Sequence, residues 1–429
     1  MKIYLQSLGC PKNTVDSEIL MGELRGNGIS FISDAEKADC IIINTCAFLL
    51  SAREEAIETI LEAIKLKQKG LCRLIIVVGC LPQKYKRELE KELPEVDHFF
   101  EQLDFMEIGR LLRDRFELPE KKDASRFLLT PKHYAYLKIA EGCDNRCSYC
   151  TIPSIKGRYA SRESDQILRE AQQLVDHGVR ELILIAQDTT SYGKDLNGVS
   201  LTELMRKITT IEELVWLRLL YAHPAHFDRD IIQLIKNSDK VCKYIDLPIQ
   251  HVSDKILKSM NRKIKSHELR RLLDEIRSEI PDIVIRTSVI VGYPGETDSE
   301  YNELVNFIKD ISFERLGIFK YSREEGTFAA NLDNHVEEHI KDERYQELMN
   351  IQEAISLKNN QALLGQKIDI IIDEYDNLEN AYIGRTQWDS PEIDNRVFIE
   401  QEVEIGSYVK AEIIDAFEYD VKAIISHGI

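Results

Sequence analysis

The sequence predicts an α/β chain in three parts: an open parallel α/β sheet at the N-terminus, a partial (β/α)6 barrel in the centre, and a small OB-like β-barrel at the C-terminus. Three observations predict it. Residues 1 to about 110 alternate apolar strands with helices, the stretch from about 134 repeats a strand–helix unit six times, and the residues after 365 change to short alternating runs. At 429 residues the chain exceeds one ordinary core. The divisions fall at 1–117, 130–363 and 364–429.

In the first part the strands are Lys2–Leu8, Asp39–Thr45 and Arg73–Val78, followed by helices at about Asp16–Asn27, Ser51–Lys67 and Gln83–Lys91. Continuous apolar strands alternating with helices imply a parallel sheet covered on both faces. A charged stretch, Leu118 to Ser125, reads as a linker. The second series has strands at Ala135–Ala140, Glu181–Ala186, Val215–Leu220, Tyr244–Leu247, Ile283–Val291 and Arg315–Phe319, with helices that include Glu163–His177 and Ser299–Lys309. Six units make a barrel open where a full one has eight. An amphipathic helix, roughly Val336 to Leu363, closes this part, and Gly365 is its stop. The tail reads as five short strands, Lys367–Asp373, Ala381–Thr386, Val397–Glu400, Tyr408–Ala416 and Tyr419–Ile425, a pattern of the oligonucleotide/oligosaccharide-binding kind.

Composition narrows the classes. The apolar runs, such as Leu74 to Val78, are strand-sized and too short to cross a membrane. The N-terminus begins a strand and lacks the apolar core of a signal peptide. A cytoplasmic setting follows, where nine cysteines are more naturally metal ligands than disulfides. The formal charge of −18 argues against broad attachment to nucleic acid or anionic lipid. Residues 361–429 hold fifteen Asp/Glu against five Lys/Arg, a net of −10.

The segment Glu141-Gly-Cys-Asp-Asn-Arg-Cys-Ser-Tyr-Cys150 carries C-x3-C-x2-C directly after a strand. Three thiolates that close together, Cys143, Cys147 and Cys150, can hold three irons of a 4Fe–4S cube and leave the fourth iron for a small molecule. Zinc is the weaker alternative, because Cys147 and Cys150 lack a second pair or a nearby His to complete four ligands. Three merely buried thiols fit poorly in a loop containing Gly and Asp.

This segment resembles the signature of the radical S-adenosylmethionine superfamily, with Tyr149 as the aromatic before the last cysteine. The resemblance implies one-electron cleavage of S-adenosylmethionine to methionine and a 5′-deoxyadenosyl radical, at the C-terminal face of the partial barrel. The superfamily's Gly-Gly-Glu stretch is replaced here by Ala186-Gln-Asp-Thr-Thr-Ser-Tyr-Gly193. Gln187, Arg218 on strand three and Gln250 after strand four are expected at the same mouth as cofactor contacts. Each of them serves equally well as a structural hydrogen-bonding group. Val291-Gly-Tyr-Pro-Gly-Glu-Thr297 ends strand five with a turn signal, and its functional reading is close backbone approach to the adenosine. No Asp, Glu or His stands out as an acid or base.

Cys10, Cys46 and Cys80 each follow a parallel strand, in Ser-Leu-Gly-Cys, Asn-Thr-Cys and Val-Gly-Cys. The carboxyl ends of strands in an open sheet converge on one edge where ligands bind, so a repeating fold brings these three together. One such thiol alone reads as a small hydrophobe; three at equivalent positions read as ligands. Cys40, Cys72 and Cys242 have no such partners and read as structural.

Two groups of three cysteines, expected to hold two 4Fe–4S clusters, resemble the methylthiotransferases. The resemblance runs the whole chain, with a C-terminal TRAM barrel, and implies insertion of a methylated sulfur at a substrate radical. Ser7-Leu-Gly-Cys-Pro-Lys-Asn-Thr-Val-Asp-Ser-Glu18, Ile152-Pro-Ser and Gly384-Arg-Thr-Gln-Trp-Asp-Ser-Pro-Glu-Ile-Asp-Asn-Arg396 resemble the RimO-type branch. That branch modifies the β-carbon of an aspartate in small-subunit ribosomal protein S-twelve. The acidic tail agrees, since a barrel at −10 repels RNA and attracts a basic ribosomal protein. The bland reading of that charge is a solvated surface. Trp388, Asp389, Glu392 and Asp394 are expected on the exposed rim, with Trp388 as a core anchor in the alternative. The rival enzyme is a transfer-RNA methylthiotransferase acting on a modified adenosine beside the anticodon. A third reading is a non-catalytic iron–sulfur scaffold. The partners implied are the ribosomal protein and a reducing electron donor, with no membrane.

Overall fold

The structure is a computed structural model and describes residues 1–25, 28–101, 104–116 and 126–426. The expected linker from Leu118 to Ser125, and the expected helix end at Asn27, lie outside the described residues.

Five parallel strands form the N-terminal sheet: β1 (Lys2–Ser7), β2 (Ser30–Phe31), β3 (Cys40–Thr45), β4 (Leu74–Gly79) and β5 (His98–Phe99), in the order β2-β1-β3-β4-β5. Helices α1 (Pro11–Leu24), α2 (Leu50–Gln68), α3 (Cys80–Glu92) and α4 (Phe105–Phe116) cover its faces. Every residue of β3 and β4 is buried, as expected where both faces are packed. Separate apolar cores lie on the two sides, one including Ile41, Ile43, Ile60 and Val77, the other Ile3, Leu20, Ile42 and Ile76. Strands β2 and β5 and helix α4 add to the expected elements. The two extra strands are two residues long, too short for a periodic signal. Helix α1 starts at Pro11 rather than Asp16, because proline suits a first helical turn whose N–H groups lack partners.

The central part begins with β6 (Tyr134–Lys138), the small hairpin β7 (Ala140–Glu141) with β8 (Ala160–Ser161), and the short α5 (Ile152–Ile155) between them. Helix α6 (Ser164–Asp176), β9 (Glu181–Ile185), α7 (Leu201–Thr209), β10 (Trp216–Leu219), α8 (Arg229–Asn237), β11 (Tyr244–Asp246), α9 (Asp254–Ser259), α10 (Ser266–Glu279), β12 (Val284–Val291), α11 (Asp298–Ile311) and β13 (Arg315–Lys320) follow. The strands form two parallel triplets, β6-β9-β10 and β11-β12-β13, joined by a single parallel bridge between Leu217 and Val241. The result is six βα units in chain order, a barrel left open. Helix α12 (Glu338–Gln361) lies along β13, and Gly365 then takes φ +76°. The tail is a closed barrel of β14 (Lys367–Asp376), β15 (Ala381–Thr386), β16 (Val397–Ile399), β17 (Tyr408–Ala416) and β18 (Val421–Ile425).

The N-terminal and C-terminal parts meet opposite ends of the central strands. The N-terminal sheet meets the ends of the central strands: Lys138, last in β6, pairs with Asp16 of α1. The C-terminal barrel meets their beginnings. Trp216, first in β10, packs edge-on to Tyr408 with centroids 4.9 Å apart. Arg315, first in β13, bonds Asp389 at 2.6 Å. Tyr244, first in β11, bonds Asp394 at 2.6 Å.

This arrangement corrects the rim expected for the tail. Asp389 is 2% exposed, and Asp394 also pairs with Arg286 at 3.3 Å with its side chain 2% exposed. Trp388 packs on the tail's own core beside Ile368, Val397 and Ile413. Of the four residues only Glu392 is exposed. Carboxylates that were counted as solvent-facing charge instead neutralise arginines at the base of the central barrel.

Candidate functional site

Strand register sets the first group of thiols. Ser7 of β1 pairs with Asn44 of β3, and Thr45 of β3 pairs with Gly79 of β4, so the three strands end level. Cys10 caps α1, Cys46 follows β3, and Cys80 opens α3. Two of the thiols thus sit at helix N-termini, where the positive end of the helix dipole favours a thiolate or an anionic group. The glycines before them allow close approach. Gly9 (φ +94°) lies where a Cβ would come 2.7 Å from Cys46 Cβ, and Gly79 (φ +95°) where one would come 2.3 Å from Asn44 Oδ1. Asn13, absent from the sequence reading, ties the edge together. Its amide donates to the carbonyls of Leu8 at 2.8 Å and Thr45 at 3.0 Å, and its Oδ1 lies 4.0 Å from Cys80 Sγ.

The second group sits in the loop between β7 and α5. Asn145, between Cys143 and Cys147, donates to Asp188 at 2.7 Å. Arg262 approaches Cys147 Sγ at 3.9 Å. Ser148 bonds the Tyr293 hydroxyl at 2.8 Å, which joins the loop to the segment after β12. Tyr149 packs its ring with Ile256, Met260 and Tyr293 and braces the loop. Asp188 is the hub: it accepts from Asn145, Thr190 at 2.6 Å, Ser191 at 2.8 Å and His226 at 2.9 Å. Burial opposes ionisation of Asp188, but those donors outweigh it and hold its carboxyl below the ordinary value.

All nine cysteines are free. Burial pushes the Cys80 and Cys150 thiols up to about 12 and raises Cys46 and Cys143 as well. A cationic iron replacing the proton relieves that penalty. Among the described residues no group of three or more His, Cys, Asp or Glu side chains gathers as a single metal ion requires. A four-iron cube asks for something different, one thiolate on each of three irons. Free thiols in groups of three, helix N-termini and glycine-lined backbone fit that demand.

Between the two groups lies a charged seam. Lys138 binds both Asp16 and Glu141, the latter at 2.7 Å. Lys156 lies 3.6 Å from Glu141 and 3.9 Å from Asp16. Gln187 donates to Glu141 at 2.8 Å, and its buried Oε1 has no partner among the described residues. Lys12 of α1 reaches across to the barrel, 3.3 Å above the centre of the Tyr221 ring and 3.4 Å from the Ala186 carbonyl. Burial pulls the Lys12 ammonium below its ordinary pKa, against Cys10, Glu141 and Asp246, which raise it.

The four expected cofactor contacts separate. Tyr149 and Gln187 lie at the cysteine loop and the seam. Gln250 sits just past β11 with φ +71°, its backbone bonded to Ser288 and Ile290. Arg218 does not open to the mouth. It is 0% exposed, pairs with Glu181 at 2.7 Å and donates to the Gln387 carbonyl at 2.8 Å. Glu181 is the first residue of β9 and also binds Arg385 of the tail at 2.9 Å, so the charge of Arg218 belongs to the base of the barrel. The sequence placed Arg218 on the correct strand but could not reveal an acid 37 residues away beneath it.

Three family descriptions match along the chain: Uncharacterized protein family UPF0004 over residues 2–101, the radical SAM superfamily over 137–308 and the TRAM domain over 364–425. The ribosomal protein uS12 methylthiotransferase RimO of Clostridioides difficile (strain 630) is 43% identical, with 98% of each chain covered. Its counterpart from Geobacter sulfurreducens is 45% identical over 98% of this chain and 97% of that one. The chain belongs to the RimO family of radical SAM methylthiotransferases.

Solved structures agree with this family on fold. The radical S-adenosylmethionine methyltransferase TsrM from Kitasatospora setae, with cobalamin and a [4Fe-4S] cluster bound, superposes with a TM-score of 0.55 at 14% identity, covering 74% of each chain. The cobalamin-dependent radical enzyme OxsB gives 0.52 at 12% identity over 82% of this chain and 56% of its own. No helix among the described residues is long and apolar enough to cross a membrane.

Proposed function

We propose that this chain adds a methylthio group to the β-carbon of an aspartate in ribosomal protein uS12, in the cytoplasm. Three units divide the work: 1–117, 130–363 and 364–429. Cys143, Cys147 and Cys150 would hold one 4Fe–4S cluster and Cys10, Cys46 and Cys80 a second. When bound, these groups and S-adenosylmethionine supply a 5′-deoxyadenosyl radical and the sulfur to be transferred. The observation that carries the reading is the facing of two three-cysteine edges across the seam of Asp16, Lys138, Glu141 and Lys156. A reaction that needs a carbon radical beside a sulfur donor needs both groups at one mouth.

The chain's own residues do the positioning. Asp188 and Asn145 fix the cysteine loop, and the unpartnered Gln187 Oε1 suits the ammonium of S-adenosylmethionine. Tyr149 and Gln250 stand beside it as further contacts, while Arg218 is a structural cation. A reducing electron donor supplies the electron. The exposed acids of the tail, among them Glu400, Glu402 and Glu404, suit a basic protein substrate.

Mass spectrometry of ribosomal proteins and transfer RNA, from cells with and without the chain, tests this. A gain of one methylthio group for hydrogen on uS12 is expected. The same gain on transfer RNA alone would instead support the nucleic-acid branch. A reconstituted chain that forms no 5′-deoxyadenosine under reduction would be the non-catalytic scaffold.

A further inference from the structure

Among the described residues two cations at the mouth lack a carboxylate: Arg262, which donates to the Pro248 carbonyl and lies 3.9 Å from Cys147 Sγ, and Lys12. Asp16 and Glu141 share Lys138 and Lys156. Asp246 takes Arg286 at 3.2 Å and the Tyr221 backbone N–H at 2.9 Å. Asp188 has its four donors. Among the described residues Lys12 has no carboxylate within ion-pair distance; its contacts are the Tyr221 ring at 3.3 Å and a carbonyl at 3.4 Å. A half-buried ammonium without a counter-charge is costly unless a partner arrives.

The surface beneath that ammonium is held with some strain. Tyr221 has φ +59°, a conformation that an aromatic side chain rarely adopts. Asp246 fixes its N–H at 2.9 Å, and its carbonyl accepts from Thr189 at 3.1 Å. Both neighbours hold the ring under Lys12, and a cation over an aromatic face remains free to bind an anion from its other side. Lys12 also lies two residues after Cys10, so it belongs to the sulfur-donating edge rather than to the loop of Cys143.

We propose that Lys12, on its Tyr221 platform, is a carboxylate-recognition site: it receives the side-chain carboxylate of the substrate aspartate and thereby selects aspartate over neutral side chains. The inference rests on the functional reading above and names what that reading leaves open. In an aspartate the carboxylate is bonded directly to the β-carbon. An ammonium that holds it beside Cys10 brings that carbon between the two cysteine groups. The shared chemistry is a carboxylate, and the other source of one is the methionine part of S-adenosylmethionine.

The test uses the reconstituted full chain with uS12 and with uS12 carrying Asp→Asn at the modified position. Dissociation constants for both are measured for the unmodified chain, Lys12→Met and Lys12→Arg. The unmodified chain is expected to favour the aspartate form. Lys12→Met should reduce that preference by about thirtyfold, the loss typical of removing one partner of a desolvated charge pair, and Lys12→Arg should keep most of it. If Lys12→Met fails to fold, Lys12→Gln serves the same comparison. A preference that survives loss of the ammonium overturns the proposal. So does a loss of S-adenosylmethionine affinity with the preference intact, which would assign Lys12 to the cofactor. A changed spectrum of the N-terminal cluster with the preference intact also overturns it, leaving Lys12 as a counter-charge. Equal binding of both forms by the unmodified chain defeats this inference alone, whereas no binding of uS12 at all defeats the functional reading with it.

Discussion

Replacing Asp188 by Asn is the sharpest single perturbation of the cysteine loop. Among the described residues Oδ2 of Asp188 accepts from Asn145, Ser191 and His226, while Oδ1 accepts only from Thr190. The amide of Asn therefore settles toward Thr190, whose hydroxyl can turn to accept, and its carbonyl takes the place of Oδ2. Shape is kept and the charge is lost. Three charge-assisted bonds become neutral ones, each weaker by about 1 kcal/mol, for a total of about 3 kcal/mol. For a unit the size of the central barrel, at about 2–4 °C per kcal/mol, melting falls by about 6–12 °C. Asp188→Ala should cost more, because four donors lose their acceptor. Asn145→Ala should cost about 2 kcal/mol, because its charge-assisted bond to Asp188 and its contact with Cys143 Sγ at 3.5 Å both go. Circular dichroism melts of the iron-free chain read stability, and the rate of iron loss after reconstitution reads the loop. Since Asn145 sits between Cys143 and Cys147, iron should be lost faster in Asp188→Asn. A variant that melts and retains iron like the unmodified chain would refute the claim that this hub organises the loop.

Three further outcomes are expected. Burial alone would raise Glu141, but Lys138 and Lys156 outweigh it and hold the carboxyl at about 2, against 4.5 ordinarily. A depressed folded-state pKa gives stability that is complete above 4.5 and lost as pH falls toward 2. Unscreened, that is about 3 kcal/mol; at this one-third-exposed side chain about 1–2 kcal/mol remains, read as urea midpoints of the iron-free chain across that window, and Glu141→Gln should flatten the slope. In the tail, charge reversal at exposed Glu402 and Glu404 should raise the KM for uS12 and weaken its salt dependence, whereas Asp394→Asn, which leaves Arg286 with Asp246 as its one remaining carboxylate, should lower stability by about 1–3 kcal/mol in a melt without that salt effect.

Much of this was legible in the sequence because the signals were periodic or local. Apolar strands alternating with helices gave the parallel sheet and the six βα units. The C-x3-C-x2-C spacing marked one loop, and Cys10, Cys46 and Cys80 at equivalent strand ends marked the other edge. Long-range pairing was not legible. Asp389 and Asp394 look like rim carboxylates until the arginines that start β13 and lie on β12 are seen beneath them. Arg218 looked like a mouth residue for the same reason, since strand alternation gives the face of a side chain but not its depth or its partner. Asn13, Asp188 and Lys12 were missed as individuals because each takes its role from partners that include residues far away in the sequence. The Pro-Lys-Asn that follows Cys10 was the one local hint for two of them.

The most direct test of two cooperating cysteine groups compares two triple variants with the unmodified chain after reconstitution. Iron content, 5′-deoxyadenosine and methylthiolated uS12 are measured on the same samples. Alanine at Cys143, Cys147 and Cys150 should remove one cluster's iron and abolish both products. Alanine at Cys10, Cys46 and Cys80 should remove the other cluster's iron, keep 5′-deoxyadenosine formation and abolish methylthiolation. Full iron and undiminished methylthiolation in the second variant would contradict the account, and would return those three cysteines to the core as ordinary buried thiols.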